Sequence, residues 1–531
     1  MKKAVIVAAL LSLLLPLTAP VSAQAVNPRW SAMIAYFNPG PQPATIGVSY
    51  LREQLSTSGS SQTNMIRGEG ILVNSRASGM INVDQATREE NFRGSAMVST
   101  SGPITSLYMQ VPAGGQAASP VIYNALNVSQ FGNGDVFIPY VRLNTGFEIQ
   151  IGVQNLEENT VKLGVHFFGL HGKDNFDLAE DILIAPKRSL IKTLTPADFR
   201  SSNTSAYFIE GSLVIYANYV ETSIPGKPRI AASVKEIQGN GVQGRAFETV
   251  GNGFAELIIP TAVCAAGQGE NTSQISVQNV TRGSTPTFIQ VQYYQADGTA
   301  VLTQPLVYPQ LSPLEPGESV LFDPCDPQIS AANLVTPAWG SLKGKPLTAV
   351  VRGIDDAGQP NQIPLGGLVR VQGKNGLSTA YTAQGLPIDY ASQDAGLISP
   401  VHNKYFIALP FVEYSKRSGG YRTYFNVVNP TSTAAKSIKA YFYDRSGGEA
   451  AVMRQLAVES PVASQLAPYA RRNLDPLSAG AIAESEQGFA GAVMLESDVP
   501  LIVTVRVQRE VNAQGVQLLG DDYNGIPFIM P

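Results

Sequence analysis

Ile151-Gly-Val153-Gln-Asn155 is the stretch on which the fold turns. Its apolar side chains stand two apart, the period at which a β-strand sends alternate residues to one face. The same pattern returns as Ile34-Ala-Tyr36-Phe-Asn38, Ile275-Ser-Val277-Gln-Asn279 and Phe425-Asn-Val427-Val-Asn429. The apolar set is expected to face a core and the polar set water, and the closing Asn opens a turn. A second alternating strand follows each copy: Ile46-Gly-Val48-Ser-Tyr50, Leu163-Gly-Val165-His-Phe167, Ile289-Gln-Val291-Gln-Tyr293 and Ile438-Lys-Ala440-Tyr-Phe442. Strand, short turn, strand is a hairpin.

Further along each unit comes a turn and strand at Pro186-Lys-Arg-Ser189, Pro316-Gly-Glu-Ser319 and Pro468-Tyr-Ala-Arg471, with Arg76-Ala-Ser78 in the first unit. A Gly-led strand pair follows, from Gly94 to Ile104 and from Gly491 to Leu501, with Gly211 and Gly340 in the corresponding middle places. Each unit spans about 100–130 residues, the size of an immunoglobulin-like sandwich. The repetition predicts an all-β chain of four immunoglobulin-like β-sandwich repeats in tandem after a cleaved signal peptide. The expected boundaries are 1–25 for the signal, then repeats at 26–135, 136–252, 253–402 and 403–518, and a tail at 519–531. Repeat 1 has an incomplete first strand, and repeat 3 includes a long linker with room for an extra hairpin between Gly366 and Tyr381. Aromatic clusters at Tyr123-Asn124, Phe247, Tyr381 and Tyr523-Asn524 read as either terminal strands or linkers.

The layout resembles repeat units of bacterial secreted and surface proteins, in which an Ile/Leu-Pro strand leads into an Asn-ending strand and a hairpin. That resemblance implies extracellular architecture, as in stalks, adhesins, sheaths or filaments, and names no ligand. The first unit departs most from it, after Tyr50.

The N-terminus supports export. Lys2 and Lys3 precede the apolar run Ala4 to Leu17, and Val21-Ser22-Ala23-Gln24-Ala25 offers small residues for cleavage after Ala23 or Ala25. That order is a secretory signal, and its apolar run is short for a membrane span. No later stretch is long and apolar enough to cross a bilayer as a helix. Charged residues make up 15% of the chain, with 49 Gly and 36 Pro, a composition that suits short strands and tight turns. The formal charge of −4 and the lack of a basic patch argue against nucleic acid as a partner. Two cysteines, Cys264 and Cys325, fall in the third repeat and are expected to pair in an oxidising compartment.

The search for chemistry is mostly negative. His166 lies on an alternating strand, His171 in a turn and His402 in a linker, so no two are placed to share a metal. No nucleophile elbow, phosphate loop or zinc-protease helix occurs. Adjacent carboxylates at Glu157-Glu158, Asp355-Asp356 and Asp521-Asp522 point to opposite faces of a strand and make poor acid–base pairs. The acidic segments Asp521 to Gly525 and Asp323 to Asp326 read as solvated turns rather than calcium sites, because neither shows the longer loop calcium needs. No cofactor, metal or catalytic residue is expected.

Function is therefore expected to be structural: an extracellular protein that forms a homo-polymer, either filaments or a surface layer. The alternatives are an adhesin that binds a surface glycan or protein ligand, with Trp30 and Trp339 more suited to core packing than to sugar contact, and a secreted hydrolase. Asn38, Asn155, Asn279 and Asn429 are expected to be structural turn residues. An apolar-Pro strand precedes three of them, at Ile138-Pro139-Tyr140-Val141, Ile259-Pro260-Thr261-Ala262-Val263 and Leu409-Pro410-Phe411-Val412. Repeat 1 has no such strand, while the chain closes on a further one: Ile526-Pro527-Phe528-Ile529-Met530. The expectation is that this last strand is donated to repeat 1 of the next subunit.

Overall fold

The computed structural model describes residues 30–530 apart from 55–64, 69, 90–91, 113–117, 127–133, 144–146, 171–174, 196–197, 199–208, 239–242, 268, 310–311, 387–397, 400–401, 418, 446–453, 458–464, 479–487 and 511–517. The expected signal peptide lies outside the described residues, as does His171. Unit 1 comprises β1 (Trp30–Phe37), β2 (Ala44–Arg52), β3 (Met65–Arg67), β4 (Ile71–Val73), β5 (Ser78–Asn82), α1 (Val83–Thr87), β6 (Gly94–Thr100), β7 (Thr105–Pro112) and β8 (Val121–Asn124). Unit 2 comprises β9 (Asp135–Leu143), β10 (Phe147–Asn155), β11 (Val161–Gly169), β12 (Phe176–Ile184), β13 (Ser189–Leu194), β14 (Ile209–Tyr219), β15 (Ile230–Gln238) and β16 (Gly244–Glu248). Unit 3 comprises β17 (Glu256–Val263), β18 (Thr272–Asn279), β19 (Phe288–Tyr294), β20 (Leu306–Tyr308), β21 (Ser319–Phe322), β22 (Pro346–Ile354), β23 (Leu365–Gln372) and β24 (Ser378–Leu386). Unit 4 comprises β25 (Ile398–Ser399), β26 (Lys404–Ser415), β27 (Tyr421–Val428), β28 (Ile438–Asp444), β29 (Arg454–Ala457), β30 (Arg471–Leu474), β31 (Gly488–Ser497), β32 (Ile502–Glu510), β33 (Leu518–Asn524) and β34 (Ile526–Phe528).

One antiparallel strand order recurs. In unit 2 the two sheets run β12-β11-β14-β9 and β13-β10-β15-β16. Unit 3 repeats it as β20-β19-β22-β17 and β21-β18-β23-β24, joined through β17 and β24. Unit 4 repeats it as β29-β28-β31-β26 and β30-β27-β32-β33. Lettering the eight positions A to H in chain order gives sheets D-C-F-A and E-B-G-H. Unit 1 has β5-β1-β7-β8 as its E-B-G-H sheet, and β2 flanked by β3, β4 and β6 as the other. Among the described residues it has no strand at position A.

Alternation explains the cores. In β10, Ile149, Ile151 and Val153 turn inward and share one buried cluster with Leu163 of position C and Leu213 and Ile215 of position F. Burial of each such side chain contributes roughly 1.5–3 kcal/mol. The opposite face of position B differs from the expectation. Ser276 and Gln278 are buried rather than in water, because each unit lays the outer face of its E-B-G-H sheet on the preceding unit. Thus Ser276 Oγ donates to the Pro139 carbonyl of β9 at 2.7 Å. Val428 and Ile502 of unit 4 pack on Ile258 and Val350 of unit 3. Ala35 and Leu107 of unit 1 pack with Ile407 and Leu409 of β26 in unit 4. Unit 2 returns to unit 1, where Gln54 N–H donates to the Ser189 carbonyl at 2.8 Å. The four units therefore close into a ring.

Residues 366–381 are mostly the G and H strands of unit 3, and 518–524 are the H strand of unit 4 rather than the start of a tail. Gly340 caps a 3-10 turn at φ 66°, and the F strand of unit 3 starts later, at Pro346.

Candidate functional site

The four H strands meet where the ring closes, and the aromatic clusters belong to them. Tyr123, Phe247, Tyr381 and Tyr523 occupy one register position, opposite Tyr108, Val234, Val369 and Val505 of the G strands. The residue two before Tyr523 is Asp521, which is 0% exposed. One of its carboxylate oxygens accepts the backbone N–H of Ile122 at 2.8 Å and of Ala246 at 3.0 Å. The other accepts the N–H of Ala380 at 3.3 Å and of Asp522 at 3.0 Å. These donors hold equivalent positions, one on each H strand, so a single carboxylate pins all four units. Burial pushes this carboxyl well above its ordinary range and the neighbouring Asp522 adds to that, while the N–H groups pull it back. Asp522 points the other way, to Arg506 at 2.8 Å and Thr379 at 2.8 Å. The expected solvated turn is thus a buried strand, because three of the four donors to Asp521 and the Thr379 hydroxyl on Asp522 come from other units.

A second layer lies one residue beyond the aromatics. Asn124 Nδ2 donates to the Asn524 carbonyl at 2.9 Å, and Asn524 Nδ2 to the Thr382 carbonyl at 2.7 Å. Thr382 Oγ1 donates to the Glu248 carbonyl at 2.7 Å, and the Glu248 carboxylate accepts the Asn124 N–H at 2.6 Å. The hydrogen bonds run once around the ring. Nearby, Glu236 bridges Arg245 and Arg370 across the junction of units 2 and 3. Burial draws Arg370 down to about 10, still charged at neutral pH.

No known protein family and no characterised protein matches the chain.

The remaining residues named from the sequence are spread over the ring. Cys264, just past β17, and Cys325, just past β21, form a disulfide with a Cα–Cα distance of 5.1 Å. His166 pairs with Asp177 at 2.6 Å, and His402 lies edge-on to Phe406. Trp30 carries Lys235 over its ring at 5.1 Å, and Trp339 packs half-buried on the core of unit 3. Asp323 accepts the Cys325 N–H at 2.6 Å, and Asp355 accepts from Ala357 and Gln359, so these carboxylates hold turns. Among the described residues no three His, Cys, Asp or Glu gather as a metal site would require, and no helix is long and apolar enough to cross a membrane.

Each strand-ending Asn is fully buried and bonded in the same way. Asn155 accepts the Glu157 N–H at 2.9 Å and donates to the carbonyls of Asn159, Ile184 and Ala185. Asn38, Asn279 and Asn429 likewise accept from the residue two ahead and donate across to the D–E turn. That turn has a left-handed residue in every unit: Arg76, Lys187, Gly317 and Tyr469. Sequence alone places Asn155→Ala near 1 kcal/mol, the loss of one local hydrogen bond. With several buried partners orphaned, the expected loss is about 2–3 kcal/mol in urea unfolding. A change under 0.5 kcal/mol would show that water replaces the amide without cost.

The C-terminal strand lies on its own chain. Ile526, Pro527 and Phe528 pair with Ala408, Ile407 and Phe406 of β26. Met530 joins Phe37 of unit 1 and Tyr443 of unit 4 in one cluster, while Ile529 is 44% exposed. Units 2 and 3 close on their A strands in the same way, through Val250 on Phe137 and through β24 on β17.

Proposed function

We propose that this chain is a non-catalytic extracellular structural protein, a ring of four immunoglobulin-like sandwiches that assembles with its own copies into filaments or a surface layer. The observation that carries this reading is the difference between unit 1 and the rest: three units have an A strand and unit 1 has none among the described residues. An open sheet edge is a template for a strand from another chain. The segment Ile526–Met530, which pairs with β26 over three residues, is the strand we assign as donor to unit 1 of the next subunit. The use of Asp521, Asp522, Glu236, Arg370 and Arg506 to bind strands and each other also favours a structural role.

The test is sedimentation and electron microscopy of the exported protein at rising concentration, beside a chain ending at Asn524. The expected result is growing polymers for the first and folded single rings for the second. A full chain that stays monomeric, or polymers unchanged by the truncation, would remove this reading. Glycan binding is the second reading, favoured by a cleft of about 650 Å3 on unit 3 whose lining, including Phe288, Thr303, Gln304, Gln328 and Asn333, has no charged group. A monomeric protein with hits on a glycan array would favour it.

A further inference from the structure

The ring has four junctions, and three are built around an A strand. At each of these the A strand pairs with its own F strand and lies against positions B and G of the following unit. β9 pairs with β14, β17 with β22 and β26 with β31, and all three pairings carry an irregularity at the Pro of the A strand. The following unit then binds the bulge. Ser276 Oγ donates to the Pro139 carbonyl at 2.7 Å, Asn426 Nδ2 to Thr261 Oγ1 at 3.0 Å, and Arg471 to the Pro260 carbonyl at 3.1 Å.

Among the described residues the junction of units 1 and 2 sets the corresponding strands against each other without an A strand. β6 stands at position F and pairs only with β2 among the described residues. Register matches its core-facing Ala96 and Val98 to Leu213 and Ile215, to Ala349 and Val351, and to Val493 and Leu495. Those six are fully buried, whereas Ala96 and Val98 are only half-buried. The facing wall of unit 2 is also reduced. Where the other units present the pairs Ser276–Leu368, Asn426–Thr504 and Ala35–Leu107, unit 2 presents Gly152–Ser233. A Cβ added at Gly152 would meet nothing nearer than Ser233 Oγ at 3.6 Å, so the wall leaves room.

One buried polar atom also waits for a partner. Gln278 Nε2 donates across its junction to the Leu213 carbonyl of the F strand at 3.3 Å, and to the Gly317 carbonyl of its own unit at 2.8 Å. Its counterpart Gln154 is 8% exposed, and among the described residues its Nε2 has no partner. A buried amide left so is destabilising.

We propose that the junction of units 1 and 2 is a strand-accepting slot that takes the apolar-Pro-apolar segment Ile526–Met530 of a second copy, antiparallel to β6. The strand would cover Ala96 and Val98 and lie on Gly152 and Ser233. The fourth junction then acquires the build of the other three, with an intermolecular strand in place of an intramolecular one. This rests on the self-assembly above for the source of the strand, but the slot itself is argued from the internal copies alone.

The test is fluorescence anisotropy of a labelled synthetic peptide carrying residues 524–531, titrated with dilute full-length mature protein. A second peptide carries residues 135–143. The expected result is saturable one-to-one binding of both, weakened at least ten-fold by Gly152→Trp, which fills the slot from the unit 2 side. Thermal unfolding of Gly152→Trp alone shows that the ring is intact. Should that variant misfold, fusion of residues 135–143 to the N-terminus serves instead and should abolish binding by occupying the slot in cis. Absence of saturable binding, or equal binding by the blocked proteins, overturns the slot. Peptide binding by a protein that never polymerises upholds the slot and overturns self-assembly. Polymers unaffected by the blocked slot uphold self-assembly and overturn the slot as its joint.

Discussion

Asp521→Ala should lower stability by at least about 4 kcal/mol, the largest effect expected from any single substitution in the ring. The reason is the number of orphans left behind. Four backbone N–H groups, on Ile122, Ala246, Ala380 and Asp522, share this one carboxylate. A buried donor without a partner costs about 1–3 kcal/mol. Alanine also leaves a small cavity at this fully buried position. Asp521→Asn should fall between, since its amide nitrogen sets a donor against two of the four N–H groups. Urea unfolding followed by tyrosine fluorescence reads both changes. A loss below 1 kcal/mol for the alanine variant would mean that the units hold together by their faces alone.

Replacing Cys264 and Cys325 together by serine should cost about 4 kcal/mol in the chain-entropy account, because the bridge closes a loop of 61 residues. The loss should be confined to unit 3, where the bond ties the end of β17 to the segment after β21. Its absence frees the A strand of that unit, on which Val428 and Ile502 of unit 4 rest through Ile258. An early unfolding step in unit 3 should therefore appear in limited proteolysis. Unreduced protein, unfolded and treated with an alkylating reagent, should gain no mass. Two alkylated thiols would show that the bond does not form.

How much of this was legible follows from the range of each interaction. The B and C strands could be read from five residues apiece, because alternation is a local pattern and Ile149, Ile151 and Val153 need only their own core. The Pro-bearing A strands and the Asn turns were legible for the same reason. The second face of position B was not. Ser276 and Gln278 look like solvated residues, and what buries them is a strand more than a hundred residues earlier, with Ser276 and Pro139 separated by 137 positions. Asp521 and Asp522 failed in the same way. Two adjacent carboxylates beside Tyr, Asn and Gly carry the composition of a turn, and their partners reach back 399 positions to Ile122. The aromatic clusters were visible as a repeated feature at the end of each unit. That they converge on one axis is a property of the closed ring, which no single unit encodes.

The single pinning carboxylate has a consequence for the order in which the protein can be made. Asp521 belongs to the last H strand, while the first N–H it receives belongs to Ile122, 399 residues earlier. A chain emerging from the ribosome or a translocation channel can fold unit after unit, since each core is built from neighbouring hairpins. It cannot lock them until β33 arrives. Until then the amides of Ile122, Ala246 and Ala380, at the inner ends of three nearly finished units, have water in place of this carboxylate. Contacts of such high sequence separation form slowly, and exposed strands invite association meanwhile. The final step of biogenesis is thus a latch thrown from the carboxyl end, which makes the nascent chain most vulnerable just before its synthesis is complete.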